Sequence, residues 1–450
     1  MPDRPNVLVV LCDQWRAEAL GCIGDPNVRT PAIDRLAAEG VCFERAYTPY
    51  PVCSPARGSI QTGRYPHAHG VTTNTYHRIP LPAEEDTLAE RLRDAGYHTG
   101  YVGKWHLDGQ FDPPGRVPPG PRRQGYEFWK GFDRGHQHLE GHPHFDARGD
   151  LTWEEGRQPD IQADITGEFI DRHQRTEGDR PFFAFLSWGP PHTPFEAPDE
   201  YSDMYDADDL ELRANVPDDM EREVRADLVE YYGMCTWLDD QLERLLDTLA
   251  EQGVADDTLV VFTADHGEMM GSNGRYHKGN PHEESVHVPL VARYPDGIEA
   301  GRRSSAVVSL IDLLPTLCSV CDAAVPEGVH GVDLSDHLLD GAPGPTETYI
   351  EGALPFDHTW RAIRTEQYLL SVDRHLDTQY LFDTGADPYQ QENRAGDSEY
   401  AAAEADLRER LFSAAAAYDD RDTLARYSDR YVAGEDGEPL PDPREHAWRE

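Results

Sequence analysis

Four short apolar runs, each ending in chemically active residues, constrain this chain more than any other feature. Val7–Leu11 ends in Cys12-Asp13-Gln14, and Thr99–Val102 runs into Gly103-Lys104-Trp105-His106. Phe182–Ser187 leads to His192, and Thr258–Thr263 leads to Asp265-His266. A continuous apolar run of roughly four to eight residues is the pattern of a strand buried on both faces of a parallel sheet. Ligands of open α/β sheets bind at the carboxyl ends of the strands. The four endings therefore point to one site assembled from distant parts of the chain. Val288–Tyr294 reads as a fifth strand.

Helical signals lie between the runs. Thr30-Pro31 opens a helix over Ala32–Glu39, with threonine as cap and proline in the first turn, and Asp86–Asp94 reads as another. Val224, Leu228, Tyr231, Met234, Leu238, Leu242 and Leu245 recur at helical spacing, which predicts a helix over Glu221–Gln252 with a break near Gly233. Residues 108–155, rich in Gly, Pro, Asp and His, read as an irregular excursion that walls a pocket together with 195–220. After about residue 345 come short strand patterns at Tyr349–Leu354, Trp360–Arg364, Tyr368–Val372 and Tyr380–Asp383, then a helix at Ala401–Ala417. The expected fold is α/β: a large mixed, mostly parallel sheet sandwiched by helices in a main domain 1–345. A smaller α+β subdomain with a short antiparallel sheet occupies 346–450, its tail extended or frayed from about 430.

Composition narrows the function. The 84 acidic residues against 41 basic ones give a net charge of -43, which repels nucleic-acid phosphates and anionic lipid. Neither nucleic acid nor membrane is an expected partner. Lys104, Lys130 and Lys278 are the only lysines, and every other basic residue is arginine. An acidic, lysine-poor surface looks like that of halophilic proteins, where molar salt screens self-repulsion. The seven cysteines are irregularly spaced, so no disulfide framework is expected. Cys318-Ser-Val-Cys321 sits beside an apolar stretch and reads as buried thiols rather than a redox or zinc motif. With no signal-peptide pattern and no long apolar run, the expected location is cytoplasmic.

The class is decided by Cys53-Ser54-Pro55-Ala56-Arg57, followed by Gly58 and Thr62-Gly63-Arg64. The pattern C-x-P-x-R is modestly specific alone. Together with the strand endings it resembles the type I sulfatases of the alkaline phosphatase superfamily over nearly the whole chain. That resemblance implies an alkaline phosphatase-like fold and a sulfuric ester hydrolase. It implies that Cys53 is oxidised to formylglycine (3-oxoalanine) by a formylglycine-generating enzyme or equivalent. The hydrated aldehyde offers one oxygen to attack sulfur and a second hydroxyl to expel sulfate, splitting one hard step into two.

Further roles follow by the same resemblance. Asp13, Gln14, Asp265 and His266, with the modified Cys53, match the ligands of one divalent cation. Gln14 departs from the aspartate of many members, and asparagine often stands in place of His266. The donor set suits Ca²⁺, with Mg²⁺ or Mn²⁺ as alternatives. Arg57 holds the nucleophile, and Lys104 bridges it to sulfate. His106 takes a proton as sulfate leaves. His192 and Lys278 contact sulfate and the bridging oxygen, one of them protonating the leaving alcohol. Asn74 is a candidate substrate contact or a turn asparagine. His69 reads as a satisfied loop histidine. His136, His138, His142 and His144 line the substrate side or simply belong to a polar loop, and Glu268, Glu283 and Glu284 carry no assigned role.

The expected substrate is a small sulfate ester, with a lean toward a sulfated sugar from the polar 133–148 stretch. Two alternatives remain: a phosphonate monoester or phosphodiester hydrolase of the same superfamily, and a silent oxyanion-binding protein. A homo-oligomer is compatible with the sequence, which marks no interface.

Overall fold

The computed structural model describes residues 4–74, 79–109, 115–133, 135, 138–141, 143–354 and 358–420. Its strands are β1 (Asn6–Cys12), β2 (Val41–Phe43), β3 (Ala46–Tyr47), β4 (His98–Lys104), β5 (Phe128–Phe132), β6 (Pro143–Phe145), β7 (Leu151–Trp153) and β8 (Phe182–Ser187). These are followed by β9 (Thr258–Ala264), β10 (Leu290–Arg293), β11 (Arg302–Ser304) and β12 (Val308–Ser309). Ten of them form one sheet in the order β11-β2-β10-β9-β1-β8-β4-β5-β6-β7, while β3 and β12 pair separately. The four apolar runs become β9, β1, β8 and β4. They are adjacent and mutually parallel, so their carboxyl ends share one edge. The register levels Leu11 with Ser187 and Thr263, and Gly103 with Ser187. Asp13, Lys104 and Asp265 therefore emerge side by side just past the last paired residues.

Helices cover both faces. On β4, Gly100 points at Phe169 of helix Gln158–Glu177, leaving no room for a larger side chain. The next residue, Tyr101, faces the other way, lining a small cavity with Ile60 of helix Cys53–Thr62. Successive strand side chains point to opposite faces, so these helices lie on opposite sides. Helices Pro31–Ala38 and Glu221–Glu251 join the first group, and Leu88–Asp94 and Leu313–Val320 join the second.

Three expectations change. The helix at Glu221–Glu251 runs unbroken through Gly233. That glycine marks a close approach, not a break: a Cβ there would lie 2.8 Å from Ala197 Cβ. The 108–155 excursion contributes β5, β6 and β7 to the sheet, β5 pairing in parallel with β4. Buried Trp129, stacked on Tyr101 at 5.1 Å, supplies apolar contact that the Gly/Pro-rich composition obscured. Helix Gln158–Glu177, which buries Ile161, Ile165, Phe169 and Ile170, has no counterpart in the sequence reading.

The antiparallel meander of β13 (Glu347–Leu354), β14 (His358–Thr365), β15 (Tyr368–Val372) and β16 (Thr378–Asp383) follows. One face takes helix Ala401–Ala417 through Leu407, Leu411 and Ala415. The other buries Ile350, Trp360 and Phe382 against Tyr47, Val286 and Val307. Trp360 Nε1 donates to Gly279 O at 2.9 Å, and Arg364 pairs with Glu283 at 2.8 Å, so this sheet backs the segment that carries Lys278. The tail expected to be extended from about 430 lies outside the described residues. Among the described residues no helix is long and apolar enough to cross a membrane.

Candidate active site

Cys53 opens helix Cys53–Thr62 at the carboxyl edge of the sheet, with Val52 extended before it. The helix's exposed amides need partners, and Asn74 Oδ1 accepts from Ser54 N–H at 3.1 Å. Asn74 thus contacts the residue next to Cys53, in a capping contact. The Cys53 thiol lies 3.6 Å from Asp13 Oδ1 and 3.2 Å from His266 Nε2. Burial, and then the charge of Asp13, push this thiol up to about 11, so as encoded it stays protonated.

Asp13, Cys53, Asp265 and His266 are all buried, and their ligand atoms lie within 4.8 Å of one another. His266 Nδ1–H donates to Gly267 O at 3.0 Å, which leaves the Nε2 lone pair facing the cluster. Burial lowers the His266 pKa, keeping the ring neutral and fit to ligate. Two carboxylates, a neutral imidazole and the nearby Gln14 amide form a donor set that fits a hard or borderline divalent cation.

Three cations surround this acidic knot. Arg57 is the hub: Nε donates to Asp265 Oδ2 at 2.8 Å and Nη2 to Asp13 Oδ2 at 3.2 Å. Its Nη1 donates to Lys104 O at 2.8 Å and Ser187 Oγ at 2.7 Å. Lys104 Nζ donates to Asp13 Oδ2, and Lys278 Nζ donates to Gln14 Oε1. Burial alone would raise the Asp13 pKa, but Lys104, His192 and Arg57 together hold it well below the usual carboxylate range. Gln14 and His106 adopt left-handed backbone at φ 69° and 60°. Such strain in non-glycine residues gathers at functional sites.

His106 is buried just past β4, and His192 is half-buried on the turn that follows β8. His192 Nδ1–H donates to Thr193 O at 2.7 Å, and its carbonyl lies 3.0 Å from His138 Nε2. The structure thus brings Asp13, Gln14, Cys53, Arg57, Lys104, Asp265, His266 and Lys278 into one contact network. His192 lies within electrostatic reach of Asp13, and Asn74 adjoins the helix start.

Other residues resolve differently. His69 lies 3.1 Å from Ser59 Oγ through Nε2 and fills the space above Gly58, the satisfied role expected of it. Of the loop histidines, His138 holds the His192 carbonyl and His144 is buried beside Phe132, while His136 and His142 lie outside the described residues. Cys318 and Cys321 are buried free thiols. The sequence reading missed Ser187, which receives Arg57, and Glu268, a buried carboxylate against Gln14. The signal for Glu268 was its place one residue beyond Asp265-His266-Gly267.

The sulfatase family profile matches residues 5–323, and the profile of the N-sulphoglucosamine sulphohydrolase C-terminal region matches 271–417. An ulvan-active sulfatase of Formosa agariphila is 36% identical over 422 residues, covering 91% of this chain and 81% of that protein. A solved yidJ structure from Bacteroides fragilis superposes with a TM-score of 0.86 at 30% identity, covering 94% of this chain and 97% of that one. Phosphonate monoester hydrolase of Agrobacterium radiobacter gives a TM-score of 0.77 at 27% identity, covering 92% and 96%. The chain belongs to the sulfatase family, within the alkaline phosphatase superfamily, and is a sulfuric ester hydrolase.

Proposed function

We propose that the chain hydrolyses the sulfate ester of a sugar, releasing inorganic sulfate and the alcohol, with Cys53 converted to formylglycine and Ca²⁺ as cofactor. The observation that carries this reading is the buried cluster of Asp13, Cys53, Asp265 and His266 beneath Arg57, Lys104 and Lys278. Formylglycine supplies the oxygen nucleophile that a protonated thiol cannot. When bound, the cation, held by Asp13, Gln14, Asp265 and His266, polarises the reacting oxygens and offsets their charge.

The chain's own groups do the rest. Arg57 keeps both carboxylates apart and oriented. Lys104 and Lys278 present ammonium charge to sulfate oxygens, where a compact point charge suits an oxyanion. His106 accepts a proton as sulfate leaves, and His192 hands one to the departing alcohol. A sugar substrate is supported by the sulphohydrolase profile over 271–417, by the ulvan-active relative, and by the polar composition of residues 133–148. None of the seven cysteines is in a disulfide, in keeping with a cytoplasmic protein. The chain divides into a catalytic domain 1–345 and a subdomain 346–450 that buttresses the Lys278 segment.

A second reading, phosphonate monoester hydrolysis, draws on the Agrobacterium neighbour and on Gln14. The test is kcat/KM for an aryl sulfate and the matching aryl phosphonate monoester, in high salt with Ca²⁺, on protein with Cys53 converted. A ratio strongly favouring sulfate is expected. A ratio favouring phosphonate overturns the substrate assignment.

A further inference from the structure

Glu268 is fully buried, yet no arginine or lysine neutralises it among the described contacts. Its Oε2 accepts from Gln14 Nε2 at 2.5 Å. Its Oε1 accepts two backbone amides, Met270 N at 2.9 Å and His277 N at 2.6 Å. His277 Nδ1 lies 3.8 Å from Oε2. The two backbone positions it grips are left-handed, Met270 at φ 46° and His277 at φ 66°. Left-handed backbone in non-glycine residues is disfavoured and needs such support.

A carboxylate only accepts hydrogen bonds and an ammonium only donates them. Glu268 therefore requires the Gln14 amino group on its side, and Lys278 requires the Gln14 oxygen on the other. The same carboxylate, through His277 N, fixes the backbone one residue before Lys278. One buried group thus sets the orientation of a neutral ligand and the approach of a cationic side chain. It also places a negative charge directly behind the amide.

We infer that Glu268 is a positioning residue for the cation site: it aims the Gln14 amide oxygen inward, fixes the Lys278 turn, and returns from one residue further out the charge that a neutral glutamine does not supply. The inference rests on the reading of Asp13, Gln14, Asp265 and His266 as cation ligands. Carboxylates behind a first ligand typically tune metal affinity by about 10–100-fold.

The experiment titrates metal-stripped protein with Ca²⁺ by calorimetry, following the metal-free melting temperature in parallel. The variants are Glu268→Gln, Glu268→Asp, Gln14→Glu and the double variant Gln14→Glu/Glu268→Gln, with Asp13→Asn as a control for the site. Glu268→Gln should weaken binding about 10–100-fold. Glu268→Asp, poorer in shape but still charged, should retain more affinity than Glu268→Gln. The double variant, with the carboxylate moved inward and the amide outward, should regain affinity over Glu268→Gln. A purely packing role predicts the reverse order, Gln above Asp, and no regain in the double variant, and either result overturns the inference. Wild-type binding that Glu268→Gln leaves unchanged overturns it alone. Absent wild-type binding, or binding that Asp13→Asn does not weaken, overturns the cation reading and this inference together.

Discussion

Replacing Arg57 by methionine isolates what the hub arginine contributes. Methionine keeps most of the buried stem, so cavity loss is small. The change deletes the guanidinium's contacts to Asp265, Asp13, the Lys104 carbonyl and Ser187. Both carboxylates are fully buried and Arg57 is only 2% exposed, so solvent cannot replace what is lost. Removing one partner of a buried ion pair costs about 3–5 kcal/mol. Lys104 still neutralises Asp13, leaving Asp265 as the main orphan and placing the expected loss near the lower end, about 3 kcal/mol. Ca²⁺ in the proposed site would bring positive charge to the same two carboxylates, so the loss should shrink when the metal saturates. Urea unfolding followed by tryptophan fluorescence, with chelator and with excess Ca²⁺, measures both quantities. A metal-free loss below about 1 kcal/mol, the scale of an ordinary substitution, would refute the reasoning. So would a loss that Ca²⁺ leaves unchanged.

Other consequences can be checked separately. His138→Phe removes the donor to the His192 carbonyl, and kcat for poor leaving groups such as alkyl sulfates should fall by up to about 10²-fold, with nitrophenyl sulfate far less affected; equal losses on both would count against a link to proton donation. Burial raises Asp239 to about 7, where it caps helix Pro31–Ala38 through the amides of Ala32 and Ile33. The folded state then binds more protons than the unfolded between roughly pH 4 and 7, so stability from this group falls as pH rises across that window. Melting temperatures of Asp239→Asn against wild type should converge or cross in the variant's favour as pH rises; a gap constant from pH 4 to 8 would refute the assignment. Gly233→Ala gains about 1 kcal/mol of helix propensity. Its new Cβ would sit 2.8 Å from Ala197 Cβ, however, and overpacking costs about 1–3 kcal/mol, so the melting temperature should drop.

Much of the site was legible because its signals are local. Each buried strand announces itself by an apolar run, and the residues just past its end must emerge at the sheet edge. Asp13, Lys104 and Asp265 needed nothing more than that rule, and Cys53-Ser54-Pro55-Ala56-Arg57 carried the chemistry in one turn of helix. The meander after residue 345 was legible for the same reason, its strands being short and separated by turns. Strands β5 to β7 were hidden because their stabilising contacts, such as Trp129 on Tyr101, come from a neighbour across the sheet and leave little periodicity in a Gly/Pro-rich segment. Gly233 misled because a glycine kept for close packing reads like one that ends a helix.

The sequence by itself determined the strand ends, the helix that opens on Cys53 and the class of chemistry, since each is written in contiguous residues. Tertiary structure alone decided which carboxylate stands behind Gln14, which histidine holds His192, and how Arg57 spans Asp13 and Asp265. Gln14 and Glu268 are 254 positions apart, and His138 and His192 are 54 apart. No spacing rule connects such pairs. They are chosen by the folded geometry, in which a buried donor or acceptor must find its partner wherever the packing places one.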